Sequence, residues 1–305
     1  MTLSALVVGL GSIGQRHLRL LRALGLDVAA VSRRPGVAER CYAAIGEALG
    51  ETNPDYVVIA SETAAHRPAL VALAEAGYSG TVLVEKPLFA APAPLPANRF
   101  AGLYVGYNLR FHPLLRAVQQ LLAEEPAISA QIYVGQYLPE WRPGRDYRDT
   151  ASAGRAAGGG VLRDLSHELD YMTWLFGPCR RVAALGGHLG PLAIETDDVQ
   201  ALLLSFARCP VATAQLNYLD REGARDIVIN TASRTIRADF LRGTLRVNGE
   251  ETRFAVARDE TYLAQHRCAL GNERALLCSA AEGVAVTELI AAAERAAAGG
   301  AWMAP

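Results

Sequence analysis

Apolar residues in the first hundred positions fall into short unbroken runs separated by stretches of helical spacing. Leu3 to Val8, Val28 to Ser32, Tyr56 to Ser61 and Thr81 to Glu85 are of strand length and rich in Val, Leu and Ile. They lack polar alternation, which is the pattern of strands buried on both faces. Between them, Ile13 to Leu24 and Pro68 to Ala76 are helical patterns that stop at Gly25 and Gly77, residues suited to end a helix. The turn Asn53-Pro54-Asp55 introduces the third strand. This alternation predicts a parallel sheet covered by helices on both faces. Ala90 to Ala97 (AAPAPLPA) predicts an extended connector, because its prolines fit neither a helix interior nor a central strand. Leu103 to Tyr107 reads as a further strand.

After Phe111 the pattern changes. Pro113 to Leu122 is a helix and Ile128 to Gln136 a strand, followed by a long loop rich in Trp, Tyr and Arg. A helix follows Gly158-Gly159-Gly160. Strands then succeed one another with short connections: Val182–Leu185, Val199–Phe206, Ala212–Leu219, Ile227–Thr231, Thr235–Asp239 and Thr244–Val247. Such a run predicts a mostly antiparallel sheet. Helical patterns over Tyr262–Ala280 and Val286–Ala298 close the chain. The fold class expected is α/β at residues 1–108 joined to an α+β domain at 109–305.

The 305 residues suffice for two cores, and 51% hydrophobic with 20% charged residues is a globular balance. A net charge of −1 gives no electrostatic case for nucleic acid or an anionic membrane. No stretch reaches the roughly 20 apolar residues of a membrane span, and the first residues read as a strand rather than a signal peptide. Five scattered cysteines (Cys41, Cys179, Cys209, Cys268, Cys278) suit a reducing cytoplasm, and the histidines show no metal-ligand spacing, so no metal is expected.

Three local features carry chemistry. Gly9, Gly11 and Gly14 form G-x-G-x-x-G between a strand and a helix, with Ser12 and Ile13 at the helix start. The glycines permit a tight turn, approach of backbone to a pyrophosphate and close helix–strand packing. The second strand ends in Ser32-Arg33-Arg34 where an NAD-specific loop carries an acid, so NADP is favoured over NAD. Lys86 closes the strand Thr81–Glu85 at its carboxyl end, where it could stabilise developing alkoxide charge. On the helix after the triple glycine, Leu165, Leu169, Met172 and Phe176 form an apolar stripe, and Asp164, His167 and Tyr171 cluster opposite. His167 suits proton exchange with a secondary alcohol. Together these features suggest hydride transfer.

The glycine loop with His17, Thr63 and His66, the element Glu85-Lys86-Pro87, and Gly158 through Asp170 resemble the glucose–fructose oxidoreductase/inositol dehydrogenase family (Gfo/Idh/MocA) over nearly the whole chain. The resemblance implies a Rossmann domain at 1–108 and an open-faced sheet domain for substrate and oligomerisation at 109–305. It implies nicotinamide-dependent oxidation or reduction of a sugar, sugar nucleotide or cyclitol. Lys86, Asp164 and His167 match the family's catalytic residues, and Ser61, Thr63, His66 and Glu85 join the cofactor set. Either Asp164 or Asp170 orients His167. Gly106 to Pro113 and the loop Tyr137 to Arg148 are similar to a branch associated with surface-sugar biosynthesis, which places Asn108, Arg110, Tyr137, Trp141, Arg142 and Tyr147 at the substrate, where Tyr171 of the Asp164/His167 face joins them. The aromatics suit a sugar face, and Arg142, Arg145 and Arg148 an anion; the arginines could equally pair with Glu140, Asp146 and Asp149. A homodimer or homotetramer through the second sheet is expected. The alternatives are a catalytically silent cofactor-binding regulator on the same fold and a structural subunit of a larger complex.

Overall fold

The computed structural model describes residues 2–34 and 38–305, and the chain divides into two compact units. The first comprises Met1–Phe111 and Arg258–Val284, the second His112–Ala257 and Ala285–Pro305. The first unit opens with β1 (Ser4–Val8), α1 (Ser12–Ala23), β2 (Asp27–Val31), β3 (Cys41–Tyr42) and α2 (Ile45–Thr52). It continues with β4 (Tyr56–Ile59), α3 (His66–Glu75), β5 (Thr81–Val84) and β6 (Gly102–Val105). The strands pair in the order β6-β5-β4-β1-β2-β3, all parallel. Ala5, Val7, Val28, Ala30, Tyr56, Val58 and Leu83 build one core with Leu21 of α1. The alternate residues Leu6, Val57, Ile59, Val82 and Val84 are equally buried, as strands covered on both faces require. Val8 pairs with Val31 and Ile59, and Ile59 with Val84, so four strands end level. Gly9, Ser32, Ala60 and Glu85 are the first residues past that line.

The second unit begins with α4 (Pro113–Glu124) and β7 (Ser129–Gly135). Short 3₁₀ turns at 138–140, 147–149 and 151–153 lead to α5 (Val161–Asp164) and α6 (His167–Phe176). Seven strands follow: β8 (Cys179–Gly187), β9 (Val199–Phe206), β10 (Cys209–Asn217), β11 (Ala224–Asn230), β12 (Thr235–Asp239), β13 (Thr244–Val247) and β14 (Glu250–Arg253). Their sheet runs β14-β13-β12-β11-β7-β10-β9-β8, antiparallel except where β7 lies parallel to β10. Alternation is clean: Leu202, Leu204, Ala212, Ala214 and Leu216 are buried, whereas Leu185, Leu203 and Val211 face out at 75%, 40% and 53% exposure.

The final segment departs from expectation. The predicted helix over 262–280 is instead α7 (Glu260–Leu270), a loop from Gly271, and β15 (Cys278–Ser279), which pairs antiparallel with β6. Ala269 and Leu277 enter the first unit's core, so residues 258–284 belong with that unit although the expected boundary put everything after 108 in the second. α8 (Ala280–Gly299) completes the elements. No helix among the described residues is long and apolar enough to cross a membrane.

Candidate active site

In the first unit the glycine loop leaves β1 and caps α1. Gly9 has φ 93°, and a Cβ there would stand 2.7 Å from the Ser61 backbone. A Cβ on Gly14 would stand 1.9 Å from the Gly9 carbonyl oxygen, whereas one on Gly11 meets no atom within 4 Å. The α1 N-terminus has no side-chain cap and no acid in its first turn, so the amides of Ser12, Ile13 and Gly14 present uncompensated positive partial charge. Ser61, just past β4, has a buried hydroxyl with no hydrogen-bond partner. An open cradle, an anion-seeking helix end and an orphaned hydroxyl at level strand ends fit a dinucleotide.

Past β2, the Ser32 hydroxyl accepts the Arg34 N–H at 3.1 Å. The Arg33 guanidinium is 92% exposed and 3.7 Å from Glu62. Thr63 is half-buried in a 3₁₀ turn. His66 is buried between the carbonyls of Pro87 and Ser61 at 3.0 and 3.1 Å, tying the β4 end to the turn after β5. Burial lowers the His66 pKa. Lys86 is half-buried, and Lys86-Pro87 is a cis peptide. Glu85 is buried and bonds His17 at 2.9 Å. Burial pushes the Glu85 carboxyl up, but the His17 bond and the Lys86 ammonium prevail and hold it below the usual range.

Asn108 and Arg110, expected at the substrate, are both buried. Asn108 donates to Thr261 at 2.7 Å and Arg110 pairs with Glu282 at 2.8 Å. Both side chains therefore help fasten the returning 258–284 segment.

In the second unit the expected single helix after the triple glycine breaks at Leu165-Ser166 into α5 and α6. A Cβ at Gly159 would lie 2.1 Å from the Ala151 carbonyl and one at Gly160 2.2 Å from Asp197, so the glycines admit the chain's own backbone and carboxylate. Asp164 ends α5 and accepts the Tyr218 hydroxyl at 2.7 Å. Burial, then the Asp164 charge, raises the Tyr218 pKa well above its usual value. Burial also raises the Asp197 carboxyl, whose Oδ2 accepts the Leu162 N–H. His167 opens α6 and is half-buried. The apolar stripe is buried as expected; on the opposite face Asp164 and His167 are half-buried, but Tyr171 is fully buried and stacks on Phe240, rings 6.3 Å apart at 17°. Asp170 is buried as well. α6 is packed on both sides, which periodicity alone did not reveal.

Leu138, Trp141, Arg142, Arg145, Tyr147 and Thr150 surround a narrow surface crevice. Trp141 stands edge-on to Tyr218 at 5.3 Å, and its buried indole N–H has no acceptor. The Tyr147 hydroxyl accepts the Ala193 N–H, and Tyr137 lies under the Arg221 guanidinium at 4.1 Å. Arg148 pairs with Asp146, one of the pairings foreseen for the loop. Sequence reasoning missed Tyr218, Asp197 and His266; Tyr218 fell inside the expected strand 212–219 and lies just past the end of β10. Among the described residues no group of three or more His, Cys, Asp or Glu is arranged to hold a metal ion.

Two family models match the chain. "Oxidoreductase family, NAD-binding Rossmann fold" covers residues 3–96, and "GFO/IDH/MocA C-terminal domain" covers 126–254. Nothing among curated protein sequences matches. Solved structures resemble it over its whole length. GenD2 from gentamicin A biosynthesis, in complex with NAD, is 24% identical, covers 100% of this chain and 96% of its own, and superposes with a TM-score of 0.84. The WlbA dehydrogenase from Bordetella pertussis, in complex with NADH and UDP-GlcNAcA, is 20% identical over 100% and 99% of the two chains, with a TM-score of 0.82. Levoglucosan dehydrogenase with NADH and levoglucosan is 17% identical over 100% and 99%, with a TM-score of 0.86.

Proposed function

This chain belongs to the GFO/IDH/MocA oxidoreductase family, with its NAD-binding Rossmann fold, and from that premise we propose that it is a dehydrogenase or reductase of a sugar or sugar nucleotide. The observation that carries the reading is the open cradle at Gly11 beside the orphaned Ser61 hydroxyl, one strand from Lys86. A bound nicotinamide supplies the hydride acceptor or donor. In oxidation, a carbinol loses a hydride from carbon and a proton from oxygen. His167 takes that proton. Lys86 donates a hydrogen bond to the oxygen and stabilises its developing charge. Tyr218 holds Asp164 in place for the sugar or for His167.

NADP is favoured over NAD because Ser32, Arg33 and Arg34 offer a hydroxyl and two cations, with no acid among them, for a 2′-phosphate. Trp141, Arg142 and Arg145 gathered at one crevice, with an indole N–H lacking an acceptor, favour an anionic sugar such as a uronate or a sugar nucleotide. The WlbA and levoglucosan relatives, solved with UDP-GlcNAcA and levoglucosan, bracket that choice. Five free cysteines support a cytoplasmic setting, and the exposed leucines and valine on the second sheet support a homodimer or homotetramer. The test of cofactor choice is titration with both reduced cofactors. Tighter NADPH is expected, with Arg33→Ala/Arg34→Ala removing the difference; equal or tighter NADH overturns the preference.

A further inference from the structure

A buried chain of hydrogen bonds in the first unit has no part in the chemistry described so far. The Tyr56 hydroxyl lies 3.1 Å from His266 Nδ1, His266 Nε2 lies 2.9 Å from His17 Nδ1, and His17 Nε2 lies 2.9 Å from Glu85 Oε1. The other Glu85 oxygen accepts the Lys86 backbone N–H at 3.2 Å. β4, α7, α1 and the end of β5 each contribute one member, and all four side chains are buried.

Counting protons sets the direction. A neutral imidazole has one donor and one acceptor. An ionised Glu85 only accepts, so His17 donates from Nε2 and accepts at Nδ1. His266 must then donate from Nε2 and accept at Nδ1, where the Tyr56 hydroxyl donates. Every bond points toward Glu85, and each ring nitrogen is used once. Placing the proton on Glu85 reverses the chain and makes Tyr56 an acceptor, stranding its hydroxyl hydrogen in the core. A doubly protonated His17 does the same through His266. A stranded buried donor costs about 1–3 kcal/mol. The chain ends in a buried phenol, so it is no route for protons to solvent.

We propose that Tyr56, His266 and His17 form a one-way donor chain that keeps the Glu85 carboxylate ionised and fixed against the Lys86 backbone, which makes Tyr56 and His266 positioning residues for Lys86. The proposal rests on reading Lys86 as the group that binds the reacting oxygen. Gly106 leaves the carboxylate room: a Cβ there would lie 2.8 Å from Glu85 Oε1. His66 grips the same turn from the Pro87 carbonyl. Lys86, His17, Tyr56 and His66 are the titratable groups that act on Glu85 or feel its charge; Tyr78 and Cys268 act on Tyr56, and His17 on His266. Burial, and then His17, pushes His266 well below the usual histidine range, in keeping with a neutral link.

Two measurements on the full chain test this. Histidine ¹⁵N–¹H spectra without cofactor or substrate report tautomers directly. Nε2–H forms at both His17 and His266 at neutral pH are expected; an Nδ1–H form at His266 or a doubly protonated His17 overturns the direction, whatever the protein catalyses. In kinetics, His266→Phe is expected to lower kcat about tenfold or more at little change in cofactor KM, and to move the acid limb of kcat/KM upward. His266→Gln, which keeps one donor and one acceptor, should restore the limb, and Tyr56→Phe should move it less. Lower thermal stability in these variants with an unmoved pH profile overturns the positioning role. Wild-type protein without turnover refutes the dehydrogenase reading instead, and the spectra then decide the chain on their own.

Discussion

A Cβ on Gly14 would collide with the Gly9 carbonyl at 1.9 Å, but one on Gly11 would enter open space. The two glycines therefore answer to different demands, one to packing and one to a ligand. Gly14→Ala is expected to destabilise the protein by about 1–3 kcal/mol. Gly11→Ala should melt at the wild-type temperature yet bind the cofactor about tenfold more weakly, or roughly 1.4 kcal/mol. Thermal melts with and without nicotinamide nucleotide separate the cases, and unweakened binding in Gly11→Ala would remove the cradle from the account. The glycine loop, Lys86, Asp164 and His167 stand out in the sequence as candidates because each lies in a local pattern tied to one element. The long-range partners of the candidate residues do not stand out. His17 meets His266 across 249 positions, Arg110 meets Glu282 across 172, and Asp164 meets Tyr218 across 54, and spacing carries no information about such pairings. Tyr171 shares a helical face with Asp164 by periodicity, but only tertiary packing on Phe240 buries it where Asp164 stays half-buried.

At the scale of elements, α3 and α7 each bury one histidine whose charged form the interior disfavours. Unfolded histidine titrates near 6.5, about where the unfolded chain begins to take up protons that folded His66 and His266 refuse. The stability these residues contribute is complete above that pH. It falls below it by about 1.4 kcal/mol per pH unit for each residue, until the depressed folded value is reached. Glu85 acts at lower pH: its folded value lies below the ordinary one, so its contribution is present above the usual carboxylate range and lost as pH falls through the depressed value. Urea midpoints should therefore drop between pH 7 and 5, and less steeply in His266→Phe; a flat profile would contradict neutral burial. The parallel strands were readable because each is an uninterrupted apolar run closed by a turn residue. β15, two residues long, and the break between α5 and α6 were not, because the first exists only by pairing with β6 and the second leaves the apolar stripe Leu165, Leu169, Met172 and Phe176 intact.

At the scale of the whole molecule, Leu185, Leu203 and Val211 stand on the outward face of the second sheet at 75%, 40% and 53% exposure. A face of that kind is expected to pair with a second copy. Sedimentation should show a concentration-dependent dimer or tetramer, and Leu203→Lys with Val211→Lys should shift it to monomer; a wild-type monomer at all concentrations would rule the assembly out. Hydride transfer to or from nicotinamide is read directly in its absorbance. NADP⁺ and NAD⁺ would each be incubated with free sugars, cyclitols, uronates and sugar nucleotides, with Lys86→Ala and His167→Ala run alongside. Cofactor reduction is expected with at least one anionic sugar, cut by about 100-fold or more in each variant. Near-normal turnover in both variants, or intact cofactor binding with no reduction across the set, would contradict it.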